Sequence, residues 1–242
     1  MNRFSLNHAT TKYWDVFEAV DACAEADIGI GLWREPVAEK GLTATAARVR
    51  DSGVTVTSLC RGGFLTSGSR AALDDNRRAI DEAAELSASE LVMVCGGLPS
   101  GSRDLDAARD TVAAALAELA PYAAGAGVRL AIEPLHPMFA SDRCVISTLD
   151  QALDVAERFD ASEVGVVVDT YHIWWDPAVW RAIERAAGRI ASFQVADWST
   201  PLPEGVLTGR AQLGDGVIEL RRFREAVDAT GYNGPIEVEL FN

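Results

Sequence analysis

No stretch of this 242-residue sequence approaches the roughly eighteen consecutive apolar residues that a membrane-spanning helix needs. The first residues, MNRFSLNHATTKYWDVF, lack the apolar run of an export signal, so the expected compartment is the cytosol. Cysteine is scarce: Cys23, Cys60, Cys95 and Cys144 stand far apart with no CxxC pair, and they read as reduced thiols. Histidine is scarcer, with only His8, His136 and His172, too few for a cluster of several histidine-bound metals. Basic charge is short too. Twenty-two Lys and Arg face 36 Asp and Glu, a net charge of −14, which repels phosphate backbones and anionic lipid. Nucleic acid and membrane are therefore not expected as partners. No GxGxxG turn follows the first strand, which removes the mark of a dinucleotide-binding sheet. No Pro/Gly/Ser-rich linker divides the chain, so residues 1–242 read as one domain.

What is present is alternation. β-rich runs near 4–8, 28–34, 54–61, 91–97, 128–135, 164–172, 190–197 and 235–241 are separated by alanine-rich helical stretches near 14–26, 40–52, 70–87, 103–125, 148–158, 177–187 and 218–230. In the third helix Leu73, Ile80, Ala84 and Ala88 form one apolar stripe. Strand–helix alternation of this kind implies parallel pairing through right-handed crossovers, and eight strands favour a closed α/β (β/α)8 barrel. The longest irregular stretch, 198–216, is the length of a functional loop. An eighth helix is missing after the last strand. The outward apolar set Ile236, Val238 and Leu240 is expected to be covered by further residues or by another subunit, as a homo-oligomer or with a companion chain.

In such barrels the reacting groups gather at the C-terminal ends of the strands. Alternation sets the facing there. Ile236, Val238 and Leu240 turn outward, sending Glu237 and Glu239 inward; Val128, Leu130 and Ile132 send Arg129, Ala131 and Glu133 inward. The same reading aims Asp169 and Gln194 at the axis, and puts Glu237 one layer deeper, paired with Arg129. Carboxylates converging in a buried site raise one another's pKa unless a cation offsets them, and a divalent metal is the simplest offset.

The segments AIEPLHP, VVVDTYHIWWD, SFQVADW and GDGVIEL…GYNGPIEVELFN resemble, in order and spacing over nearly the whole chain, the xylose-isomerase-like superfamily of sugar isomerases, epimerases and dehydratases. The resemblance implies one divalent ion, Mn2+ or Mg2+, or else Co2+, held by Glu133, Asp169, Gln194 and Glu239. It also implies that His172 touches substrate hydroxyls, and that Glu133 and Glu239 act as opposed proton acceptor and donor beside a carbonyl. Two positions depart from the pattern. Gln194 replaces the usual histidine, giving an all-oxygen set suited to Mg2+ or Mn2+. His136-Pro137-Met138-Phe139 replaces an acidic substrate-binding residue.

Further substrate-binding candidates at strand ends or in the long loop are His136, Trp33, Arg34, Arg61, Asp197 and Arg210, the arginines suiting a carboxylate or phosphate. Trp174, Trp175 and Trp198 read equally as stacking walls or as packing between loops, and Cys60 and Cys95 as small core residues. The implied activity is a metal-dependent isomerase or epimerase acting on a carbohydrate-like small molecule. The alternatives are a dehydratase, lyase or deglycosidase on a sugar- or cyclitol-like substrate, and a barrel that binds a ligand without catalysis.

Overall fold

In the computed structural model, which describes residues 3–203 and 205–241, eight parallel strands close into one ring. The first seven are β1 (Phe4–Asn7), β2 (Gly29–Trp33), β3 (Val56–Gly63), β4 (Glu90–Val94), β5 (Arg129–Ile132), β6 (Val164–Asp169) and β7 (Ile190–Val195). Two short strands, β8 (Asp197–Trp198) and β9 (Arg210–Ala211), form an antiparallel ribbon outside the ring. β10 (Ile236–Val238) closes the barrel between β7 and β1. This is the eight-stranded parallel barrel that the alternation predicts.

The helices are α1 (Val16–Glu25), α2 (Arg34–Lys40), α3 (Leu42–Ser52), α4 (Arg70–Glu85), α5 (Leu105–Gly125), α6 (Leu149–Ala156), α7 (Thr170–Ile173), α8 (Val179–Arg185) and α9 (Leu220–Ala229). Their starts are written in the sequence. Asp15 accepts from Phe17 N and Glu18 N while Glu18 accepts from Asp15 N, a capping box that fixes the entry of α1. Buried Val16, Ala19, Val20 and Cys23 then line its inner face at helical spacing. No helix among the described residues is long and apolar enough to cross a membrane.

Several strand boundaries differ from expectation, and two of them matter here. β6 ends at Asp169 rather than running to 172, because the Asp169 carboxylate accepts from Tyr171 N at 2.7 Å and caps α7. The chain after β2 turns at once into α2, whose Pro36 sits in the first turn where no N–H is needed.

Inside the ring a plug of Cys60, Val92, Ala131, Val167 and Ala191 fills the middle, separate from the large outer core between strands and helices. Below it Glu90 stands in register with Arg129, and burial pushes the Glu90 carboxyl well above its ordinary range. The expected Arg129–Glu237 pair does not form. Arg129 lies in that lower layer, donating to the carbonyls of Arg189 at 3.1 Å and Ile190 at 3.3 Å. Glu237 is in register with Ser5 and Gln194 instead. On the outside of β10, Leu240 is buried while Ile236 and Val238 are half-buried.

Candidate metal and active site

The floor of the barrel mouth is a buried polar network around Glu237. Its Oε1 accepts from Asn7 Nδ2 at 2.8 Å and Gln194 Nε2 at 3.0 Å; its Oε2 accepts from Thr57 Oγ1 at 2.8 Å and Ser58 Oγ at 2.9 Å. Asn7 in turn accepts from Trp33 Nε1 at 2.7 Å. Gly31 leaves room for the carboxylate: a Cβ there would stand 2.6 Å from it. With its amide nitrogen committed to Glu237, Gln194 keeps a buried Oε1 that has no partner. Gln194 is also in register with Asp169, so both side chains issue from the same face of neighbouring strands. A buried acceptor left open beside a carboxylate is a place for a cation.

Above this floor Glu133, Asp169 and Glu239 converge, all buried. Between them lies the guanidinium of Arg210, itself buried. Its Nη1 donates to Glu239 Oε2 at 2.9 Å, to the Glu239 carbonyl at 3.1 Å and to Asp169 Oδ2 at 3.4 Å. The guanidinium is stacked between the rings of Tyr171 and Phe241, at 4.7 and 4.6 Å from their centroids. Burial works against its charge, and the carboxylates of Glu239, Asp169 and Glu133 outweigh that penalty.

The ribbon that brings Arg210 in is fastened by Asp197. Its Oδ1 accepts from Trp198 N at 2.8 Å and Ile218 N at 3.0 Å, and its Oδ2 from Gly214 N at 3.0 Å and Gly216 N at 3.1 Å. A Cβ on Gly216 would meet Asp197 Oδ1 at 2.3 Å, so only glycine lets the loop close this tightly. Asp197, expected to bind substrate, is therefore spent on the backbone of 198–218.

His172 leaves the strand on α7 and is buried over the cluster. Glu133, Asp169 and His172 offer atoms within 4.8 Å of one another, a spacing that a metal could bridge. His172 Nδ1 stands 3.2 Å from the donor His136 N, and its Nε2 stands 3.3 Å from Arg210 Nη2, a group that can only donate. Burial, and then the charge of Arg210, hold the imidazole pKa well below its ordinary value, so the ring stays neutral. His172 Nε2 stands 3.8 Å from Asp169 Oδ2.

The remaining candidates separate. Trp33, Arg61 and Arg210 line a cavity of about 160 Å3 with Glu133, His172 and Glu239. Arg34 does not: it is held outside the mouth by Glu82 at 2.5 Å and Asp75 at 3.2 Å, because α2 turns it toward α4. His136 caps a 3-10 turn and packs against Trp175 and Trp198, while Trp198 also packs on Tyr171 and Trp174. Trp174, Trp175 and Trp198 thus pack between loops. Arg143 and Phe241 line the cavity and were not singled out from the sequence; Arg143 lies on no periodic segment, whereas the alternation over 235–241 puts Phe241 on the same side as Glu237 and Glu239.

Burial is the main cause of the shifted carboxyl groups. Glu133 is pushed well above its ordinary range, by burial first and then by Glu239 and Asp169. Asp169 is raised by burial against the pull of Arg210, and Glu239 is raised to about 7 in the same way. If all three carboxylates ionise, one guanidinium leaves two negative charges uncompensated, the charge of one divalent ion. Four oxygen donors, from Glu133, Asp169, Glu239 and the open Gln194 Oε1, are of the hard type that Mg2+ and Mn2+ take. The donor chemistry of these residues suits such an ion, and the three groups that stand within bridging distance of one another are Glu133, Asp169 and His172.

The family model described as xylose isomerase-like TIM barrel matches residues 15–242. Among curated proteins, a 3-dehydroshikimate dehydratase of Pseudomonas aeruginosa is 33% identical over 178 residues, 70% of this chain and 26% of its own length. An inosose isomerase of Bacillus velezensis is 30% identical over 129 residues, 52% of this chain and 44% of its own. The chain thus spans less than half the length of either relative. Among solved structures, a Sinorhizobium meliloti protein is 46% identical with a TM-score of 0.95, covering 100% of this chain and 90% of that one.

Proposed function

We propose that this chain, which belongs to the xylose isomerase-like TIM-barrel family, transfers a proton beside the carbonyl of a hydroxylated ketone. The observation that carries this reading is the convergence of Glu133, Asp169 and Glu239 around a single buried guanidinium, with Gln194 Oε1 open beside them. A divalent ion held by Glu133, Asp169, Gln194 and Glu239 would polarise the carbonyl and stabilise the enolate left by proton loss.

The chain's own residues do the rest. Glu133 and Glu239 come from strands separated by β6 and β7 in the ring, so they reach the cavity from different sides. Both are carboxyl groups able to take and return a proton, and in the metal-free chain burial raises both. His172, a neutral imidazole beside Arg210 over the carboxylates, is placed to touch a substrate oxygen, and its low pKa keeps it from competing as the base. Arg210 orients the substrate and holds Glu239 in place. Cys60 lines the cavity, but burial raises its thiol pKa well above the ordinary range, which leaves it no nucleophile.

Return of the proton gives isomerisation or epimerisation. Loss of a β-hydroxyl instead gives dehydration, a second reading favoured by the longer match, over 70% of the chain, to the Pseudomonas dehydratase. One experiment addresses both. The full chain with Mn2+ is incubated in D2O with inososes, 3-dehydroshikimate and ketohexoses and followed by proton NMR. Exchange of a proton beside the carbonyl, abolished in Glu133→Gln, is the expected result; the accompanying product, a shifted carbonyl or an unsaturated ring, assigns the reaction. No exchange with any of them, in metal-loaded protein, would overturn the proposal.

A further inference from the structure

We infer that the substrate carries an oxyanionic group, a carboxylate or a phosphate, that docks on Arg61 and Arg143 at the cavity mouth while the reacting ketone faces the carboxylates within. The inference rests on the proton-transfer site proposed above and names the class of molecule that fits it. Both arginines line the same cavity as Glu133, His172 and Glu239.

Arg61 is half-buried, and no hydrogen bond or ion pair engages it among the described residues. Its guanidinium lies 4.5 Å from the centre of the Phe64 ring, a contact that uses the flat face and leaves the N–H edge free. Arg143 reaches only its own neighbour Asp142, at 3.8 Å. Lack of acids does not explain this: the chain holds 36 Asp and Glu against 22 Lys and Arg. Elsewhere arginine is readily engaged, as in Arg34 with Asp75 and Glu82 and Arg185 with Asp150, Asp154 and Glu157. Two guanidinium forks left open on one small cavity match the planar geometry of an oxyanion.

The interior fixes the orientation. The three carboxylates and Arg210 lie where the ketone would react and the two open guanidiniums line the same cavity, so an anion held on Arg61 and Arg143 turns the rest of the molecule toward Glu133 and Glu239. A neutral sugar could accept hydrogen bonds from these arginines but would leave both charges uncompensated. A hydroxylated ring ketone with one anionic substituent uses both ends of the cavity.

Calorimetric titration of the Mn2+-loaded full chain with catechol and with 3,4-dihydroxybenzoate tests this, since both offer adjacent oxygens to the ion and only one carries a carboxylate. The carboxylate compound is expected to bind about tenfold tighter or more, the scale of one hydrogen bond between charged groups. Arg61→Met and Arg143→Met should each shrink that ratio to about threefold or less, with catechol affinity and thermal midpoint little changed. Inorganic phosphate should displace 3,4-dihydroxybenzoate competitively if the recognised group is a phosphate, and should fail to do so at tenfold excess if it is a carboxylate. Equal affinity for the two ring compounds in the unmodified chain, with catechol measurably bound, overturns the anion site alone. Absence of heat from Mn2+ itself and from both compounds overturns the proton-transfer reading beneath it.

Discussion

Glu237 and Glu239 stand two residues apart, point into the same barrel and are both buried, yet their surroundings give them opposite characters. Glu237 receives four hydrogen bonds from neutral donors, Asn7, Gln194, Thr57 and Ser58, each in a fixed place. Glu239 receives one cation from a loop and shares it with Asp169. Neutral donors satisfy every lone pair and leave nothing to exchange; a shared cation leaves charge over, and a carboxyl whose pKa burial lifts to about 7. Depth by a single strand layer separates a structural acid from a reactive one.

The comparison can be broken most forcefully at the lower acid. Glu237→Ala strands the four donors and should cost about 3–5 kcal/mol of unfolding free energy, read by urea denaturation. An unchanged midpoint would remove Glu237 from the floor. At the upper acid the effect should move from stability to rate. Glu239→Gln should lower turnover by about 10²–10⁴-fold on whichever ketone exchanges in D2O, with stability within about 1 kcal/mol of the parent. Equal damage to folding from both variants would erase the distinction.

Acidity sharpens it next. Glu133, Asp169 and Glu239 have folded-state pKa values above their unfolded ones, so their contribution to stability is fully present below about pH 4 and is lost as pH rises through the folded values. For Glu239 that loss runs from its ordinary value up to its folded value of about 7. The metal-free chain should therefore melt at falling temperature from about pH 5 to pH 8, and Mn2+ should stabilise it more at the upper end. A melting profile flat in pH, with or without Mn2+, would contradict the raised values. The smallest effect belongs to a cation outside both networks. Arg34→Met removes its partly exposed pairs with Glu82 and Asp75 and should cost about 1 kcal/mol or less, with turnover untouched in the same exchange assay.

The barrel was legible because its strands, buried on both sides, still alternate in side-chain size and polarity, and that alternation fixes facing. It is why Glu133, Asp169, Gln194 and Glu239 could be aimed at one volume from sequence. Other roles depend on backbone geometry that no periodicity encodes. Asp197 looks like any strand-end acid until the amides of Gly214, Gly216 and Ile218 are seen to fold back onto it. Arg34 reads as a mouth residue until α2 turns it outward, and the loop carrying Arg210 into the carboxylates has no repeat from which its path could be read. Glu237 was placed at the correct depth but given the wrong partner, because small polar residues on β1 and β3 resemble filler in a sequence.

The contact between Gly31 and Glu237 has a consequence for reading other chains. A Cβ at residue 31 and this carboxylate compete for the same space, 2.6 Å apart, so two positions more than two hundred residues distant share one allotment of volume. A barrel of this kind with a larger residue at the first position must shorten or relocate its acid at the second. Its strand-seven side chain then loses the anchor that here turns an amide oxygen toward the site. The identity of one small residue near the start of such a sequence thus forecasts the donor chemistry near its end.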